Sequence, residues 1–179
     1  MTHLKTIALI AACLSTGISV TSAHAAFAAQ PPAVGQSLPA FTYNLLDGRQ
    51  LSPSELRGHP YILWMVASWC PSCQTGSNVV ASHIDFLRSH EVRIVEMQLA
   101  RDLGTQGPGL QKFQEAVGAK AVSPSWYWGE LTDRQTAALD PKGDMDVYYL
   151  VNARGTIVAV NGNPAATWDA IERFAATAK

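Results

Sequence analysis

The sequence predicts an α/β protein in which helices flank one mixed β-sheet, and three observations point there. A continuous apolar run, Tyr61 to Ala67, has the length and the lack of alternation of a strand buried on both faces. Stretches of helical period alternate with a second apolar strand pattern after it. Short hairpin patterns near the start and near the end bracket this central part. The order hairpin, strand, helix, strand, helix, hairpin, helix folds most simply as one sheet covered on both sides.

Each element has its own warrant. Phe41 to Leu46 and Arg49 to Leu51 flank Asp47-Gly48, a dipeptide that suits a tight hairpin turn. Ser52-Pro53-Ser54-Glu55 reads as a helix start, with Ser at the N-cap, Pro in the first turn and Glu closing a capping box, and Gly58 ends that helix. After the central run, Val80, Ile84 and Leu87 recur at helical spacing as one buried stripe. Val92 to Leu99 is the next strand, in which Glu96 is expected on the strand surface. Pro108 to Val117 is helical through Leu110, Phe113 and Val117, and Gly118 closes it. Residues 119–146 are turn-rich and aromatic and show no period that assigns an element. Val147 to Val151 and Thr156 to Asn161 flank Asn152-Ala153-Arg154-Gly155 as a second hairpin. Asn163 is expected to cap a last helix with Pro164 at its first position and Trp168, Ile171 and Phe174 inside.

With 47% hydrophobic and 15% charged residues, the 179-residue chain is long and apolar enough for one globular domain. A net charge of −1, spread along the sequence, excludes a basic nucleic-acid surface and a polybasic membrane tail. The first 25 residues read as a signal peptide: MTHLK is basic, TIALIAACLSTGISV is apolar but short for a membrane span, and TSAHA offers small residues for a cut after Ala25. A cut after Ala28 is the nearby alternative. Ile10-Ala11-Ala12-Cys13 resembles a lipobox, and lipidation at Cys13 is the one expected route to a membrane. Residues 26–33 form a flexible tether and 34–179 the folded domain, which is expected in the periplasm or another extracytoplasmic space.

The exported chain keeps Cys70 and Cys73 and no other cysteine. Outside the cytoplasm such a pair meets oxidants and forms a disulfide. A cross-link closing so short a loop adds little chain-entropy stabilisation, which argues for chemistry. Cys70 is expected at the end of the central strand, with Pro71 opening a helix whose first N–H groups and dipole face the sulfur. Sulfurs so placed shift from a pKa of ~8.5 to between roughly 3.5 and 7.5. Cys70 is therefore the candidate nucleophile, and Cys73, one turn on and deeper, the thiol that resolves the mixed disulfide. A zinc site is disfavoured, because His59, His83 and His90 accompany the pair at no finger-like spacing and are expected at the surface or at helix caps.

Val34-Gly35 with Pro39 and Phe41, Asp47-Gly48, Leu56-Arg57-Gly58, the apolar strand and Trp69-Cys70-Pro71-Ser72-Cys73 together resemble the thioredoxin fold, and more narrowly its exported TlpA/ResA-like thiol–disulfide branch. Tyr149 to Gly155 is similar to that family's late hairpin. The resemblance covers about residues 34–100 and 147–178 and leaves 101–146 as an atypical insertion. It implies a thioredoxin-like three-layer sandwich with an N-terminal hairpin, Cys70 as nucleophile and Cys73 as resolving thiol. It also implies exchange with exported proteins carrying disulfides or thiols, in the reducing direction, fed by an electron donor that the sequence does not identify. Cytochrome c or copper-centre assembly is the usual setting, and no cofactor is implied.

Three positions depart from the family pattern. Asp146 stands where the family carries a cis-proline, Gly76 replaces an acid three residues after the second cysteine, and Trp64 replaces the buried acid six residues before the first. Asp146 is thus the third catalytic candidate: a carboxylate near the pair could accept the Cys73 proton, unless it merely starts a strand in solvent. Trp69, Pro71, Trp126 and Trp128 are the candidate substrate contacts, Trp69 flanking the pair and the other tryptophans either forming an aromatic rim or packing on the sheet. The competing function is a copper-binding assembly factor holding Cu(I) through Cys70 and Cys73. Copper-delivery relatives use a wider cysteine spacing and a late histidine, and here no histidine follows His90. A thiol peroxidase motif is absent, since it would need Pro at Leu63 and Thr or Ser at Ala67.

Overall fold

The computed structural model describes residues 30–178. The expected signal peptide with its expected cut sites, Cys13 and the first half of the expected tether lie outside the described residues. β3, Tyr61–Val66, is buried along its whole length. It pairs in parallel with β4, Arg93–Gln98, and antiparallel with β6, Val147–Val151. Around it, among the described residues, runs a seven-stranded mixed sheet in the order β2-β1-β5-β4-β3-β6-β7, with β5 spanning Trp126–Glu130. β1 (Tyr43–Leu45) and β2 (Gln50–Leu51) form the N-terminal hairpin; β6 and β7 (Ile157–Gly162) form the late one.

The pleat of β3 sorts its side chains into two cores. Ile62, Trp64 and Val66 join both cysteines under the helices α2 (Pro71–Ser82), α3 (Ile84–Ser89), α4 (Leu110–Val117) and α6 (Trp168–Thr177). Leu63 and Met65 face the other core with Leu56 of α1 (Pro53–Leu56) and Leu139 of α5 (Asp133–Leu139). This is the three-layer sandwich that the sequence predicts. Among the described residues no helix is long and apolar enough to cross a membrane.

Several local signals act as read. Gly48 takes φ 83° in the first hairpin turn, and the Glu55 carboxylate accepts the Ser52 N–H at 2.8 Å in the capping box. Others do not. The stripe Val80, Ile84 and Leu87 is buried but divided, because the chain leaves helical geometry at His83 (φ −110°, ψ 15°), whose ring stacks on Trp168 at 4.2 Å. The last helix begins at Trp168, not at Pro164: Asn163 sits at φ 52°, gives its N–H to the Asp146 carbonyl, and caps a turn by accepting the Ala166 N–H.

The largest difference is in 119–146. Trp126–Glu130 is β5, an interior strand parallel to β4 and antiparallel to β1, and α5 follows it. Gly129 makes this strand possible: a side chain there would run into the Asn44 carbonyl of β1 and come within 2.8 Å of Met97 Cε. Backbone cannot step aside as a side-chain end can. Gly129→Ala is therefore expected to cost about 1–3 kcal/mol, toward the upper end. Urea unfolding checks this, with a lower midpoint at an unchanged slope as the expected result.

Candidate active site

At the end of β3 the chain turns into α2, and Cys70 is the N-cap residue, extended at φ −86°, ψ 114°, with Pro71 in the first turn. Its sulfur accepts the Cys73 N–H at 3.2 Å, and Ser72 Oγ lies 3.3 Å from it. Cys70 and Cys73 are joined as a disulfide with their Cα atoms 5.3 Å apart. Cys70 keeps 6% of its surface exposed and Cys73 none, so an incoming group reaches only the first sulfur. Pro71 and Ser72 are exposed and Trp69 is half-buried; these three form the lip of the opening.

Two buried carboxyl groups stand behind the pair. Asp146, 5% exposed, precedes β6 with φ 69°, a left-handed conformation that Asp tolerates better than most residues. Its N–H donates to the Met65 carbonyl at 2.9 Å, and its Oδ1 accepts the Trp64 indole N–H at 3.1 Å. Burial pushes its pKa up, against the nearby Ser72 hydroxyl and the Trp64 indole, and its Oδ2 has no hydrogen-bond partner. Asp146 is not in solvent, and through Ser72 it faces the side of Cys70.

Glu96 is the second acid. It was expected at a strand surface, yet it is fully buried beneath α2. Ser77 Oγ lies 2.8 Å from its Oε1 and 3.0 Å from the Cys73 carbonyl, and the Trp126 indole donates to its Oε2 at 3.1 Å. The Ser77 hydroxyl has one proton and two acceptors within reach. Both contacts are satisfied only when Glu96 is protonated and donates to Ser77, which then donates to Cys73. Burial pushes the Glu96 pKa well up, and the charge of Asp146 pushes it further, against the two hydrogen bonds. Geometry and electrostatics agree on a neutral acid.

In the β3–β4 ladder, Trp64 and Glu96 are direct partners. An acid missing from position 64 on β3 is thus present one strand over, at the same height under the cysteines. Trp64 itself holds Asp146 in place.

A family model described as the AhpC/TSA family matches residues 34–160. The chain belongs to the AhpC/TSA family. A search of curated protein sequences returned no match. Among solved structures, the chain is similar to the thioredoxin domain of a thiol-disulfide oxidoreductase from Bacteroides vulgatus (17% identity, 80% of this chain and 99% of that one, TM-score 0.61). It is also similar to a secreted Mycobacterium tuberculosis disulfide oxidoreductase homologous to E. coli DsbE (21% identity, 76% and 95%, TM-score 0.58). BsSco, a member of the Sco family of cytochrome c oxidase assembly proteins with a disulfide switch, aligns at 16% identity over 84% and 99% with a TM-score of 0.58. At these identities the likeness is one of fold, and the fold is thioredoxin-like.

Within this AhpC/TSA family member, Trp126 and Trp128 form no aromatic rim. They stack on each other at 5.0 Å inside the core, and Trp128 donates to the Ala121 carbonyl at 2.8 Å. As residues of an interior strand they have no surface to offer a substrate. Sequence reasoning also missed Ser72, beside the Cys70 sulfur, and Ser77, which joins the Cys73 carbonyl to Glu96. Ser77, one helical turn beyond Cys73 on its face of α2, was the findable one.

A buried acid with a raised folded pKa contributes stability that is greatest below the ordinary carboxyl value of 4.5 and is lost as pH rises through the folded value. Gln at position 96 can mimic the neutral acid, accepting from Trp126 and donating to Ser77. Thermal melts of parent and Glu96→Gln should nearly coincide at about pH 5 and separate toward about pH 8 with the Gln variant more stable. A parent that gains on the variant as pH rises would show that the carboxylate is the favoured form.

Proposed function

We propose that this protein is an extracytoplasmic thiol–disulfide oxidoreductase that reduces disulfides in other exported proteins through Cys70 and Cys73. The observation that carries the reading is the seating of Cys70 at the start of α2: its sulfur alone is reachable, faces a backbone N–H donor, and has Cys73 buried one turn behind. The secreted, DsbE-homologous neighbour and the likeness of residues 1–25 to a signal peptide support the location.

The cycle follows from that seating. A donor dithiol first reduces the Cys70–Cys73 disulfide, passing two electrons and two protons to the enzyme. Cys70, as thiolate, attacks one sulfur of the substrate disulfide; a new S–S bond forms and the other substrate sulfur leaves and takes up a proton. Cys73 loses its proton and attacks Cys70, which releases the first substrate sulfur as a thiolate and restores the enzyme disulfide. In this reading Asp146 is the acid that takes up the proton Cys73 loses.

Direction follows from charge. A reduced pair strongly stabilised as thiolate makes a disulfide easy to reduce and the protein an oxidant. Here the group near the pair that can carry charge is the acid Asp146, and its ionised form disfavours a thiolate and so favours the disulfide form of the enzyme; the neutral Glu96 adds no charge. Copper carriage through Cys70 and Cys73 is less well supported, because the two cysteines have the narrow two-residue spacing and no histidine follows His90.

Insulin reduction driven by dithiothreitol tests the activity. The parent should precipitate insulin at least about tenfold faster than buffer, and Cys70→Ser should not. Cys73→Ser should retain a substrate as a mixed disulfide that reductant releases. A parent no faster than buffer ends the reading. Asp146→Asn, which keeps the acceptor for Trp64, should shift the alkylation profile of Cys70 to lower pH and make the pair less reducing, since a negative charge near a thiol raises its pKa. An unmoved profile and potential would remove Asp146 from the chemistry.

A further inference from the structure

Asp102 is a buried acid with no part in the cycle above. It is 6% exposed and lies between β4 and α4. Its Oδ1 accepts the Ser68 N–H at 2.7 Å, its Oδ2 accepts the Ser68 hydroxyl, and its main-chain carbonyl accepts the Trp69 indole N–H at 2.9 Å. Ser68 Oγ in turn accepts the Gly109 N–H at 3.0 Å. Both ends of the segment 102–109 are therefore fastened to the two residues that precede Cys70. Gly107 lies in the angle between them: a side chain there would run into Ser68 Oγ, 2.7 Å from Asp102 Oδ2 and 3.2 Å from the Trp69 nitrogen.

The fastening holds an unfavourable backbone. Arg101, Asp102 and Leu103 take φ of 52°, 53° and 56° in succession. Residues other than glycine visit this left-handed region singly, because Cβ approaches the following carbonyl. Strain of this kind persists only where the surroundings over-determine it, and it gathers at functional sites. At its far side the loop reaches Gly143, where an added Cβ would stand 3.5 Å from Leu103 Cδ1, in the turn that leads to Asp146. The loop thus runs from Trp69 to the approach of Asp146, alongside the opening over Cys70. Arg101 and residues 103–106 are exposed on it, and Leu103 presents an apolar side chain.

We propose that Asp102 is a positioning residue that holds residues 100–109 as a preformed wall beside Cys70, against which the polypeptide around a substrate disulfide is read. Leu103 and Trp69 would receive an apolar side chain next to the substrate cysteine. Preference for protein disulfides over small ones then depends on Asp102. The inference rests on the exchange activity proposed above.

The test compares kcat/KM for insulin with that for the small disulfide dithiobis(nitrobenzoate) in the parent and in Asp102→Ala, Asp102→Asn and Gly107→Ala. Tryptic cleavage after Arg101 reports release of the loop independently of activity. Asp102→Ala should cleave faster and lower the insulin-to-small-disulfide ratio about tenfold, through KM more than kcat. Asp102→Asn, which keeps an acceptor for the Ser68 N–H, should lose less. Gly107→Ala breaks the same contact from the other side and decides the matter if Asp102→Ala does not fold. An unchanged ratio in a variant whose Arg101 has become cleavable overturns the proposal. So does unchanged cleavage in Asp102→Ala, or an equal fall with both substrates. A parent inert toward both disulfides would instead sink the exchange reading, and this inference with it.

Discussion

Where β3 ends, the chain passes from a strand paired on both sides into a helix whose first N–H groups have no helical acceptor, and Cys70 stands at that junction. The Cys73 N–H directed at the Cys70 sulfur is the interaction that everything else positions or modifies. It needs Pro71, which gives up no useful N–H in the first turn of α2 and sets the helical φ. It needs β3 fixed in the middle of the sheet, so that the junction recurs at one place. It also orders the two sulfurs, because a helix start that exposes its N-cap residue necessarily buries the residue one turn inside when that face packs on the sheet.

Around this contact the acids are arranged by what the sheet allows. Trp64 fills the β3 position directly beneath the pair, and its indole cannot ionise. The carboxyl groups come instead from its parallel neighbour β4, as Glu96, and from the residue before β6, as Asp146. Glu96 is joined to the Cys73 carbonyl through Ser77, and the Ser72 hydroxyl, beside the Cys70 sulfur, lies near Asp146. The two acids raise one another's cost of ionisation, so the site accommodates one negative charge more readily than two. A pair of coupled buried acids holds a proton near the cysteines more readily than an exposed aspartate does.

Much of this was legible in the chain because it is local. The uniform apolar run of β3, the N-cap and Pro71 before the cysteines, the Asp47-Gly48 turn and the late hairpin are each specified within a few residues. What escaped depends on distant partners. Glu96 and Gln98 are polar on one face of an alternating strand, the ordinary mark of a surface, yet that face is closed by Ser77 and Trp126, 19 and 30 residues away from Glu96. β5 is short, flanked by Pro124, and contains a glycine whose necessity lies in the Asn44 carbonyl of another strand. Nothing in Arg101-Asp102-Leu103 marks three left-handed residues, because Ser68 and Trp69 hold them.

Asp146 joins these threads. Proline is confined to φ near −65° and has no N–H to give, so it could neither adopt 69° nor donate to the Met65 carbonyl. With aspartate there, the β3–β6 ladder gains a hydrogen bond beside the site, and the pocket gains a buried carboxyl oriented by Trp64. The N–H that the exchange adds is used inside the protein, on the Met65 carbonyl, and is not presented to an extended substrate. A wall for the substrate then has to come from elsewhere around Cys70, and the strained loop fastened to Ser68 and Trp69 is the exposed structure that the fold places there.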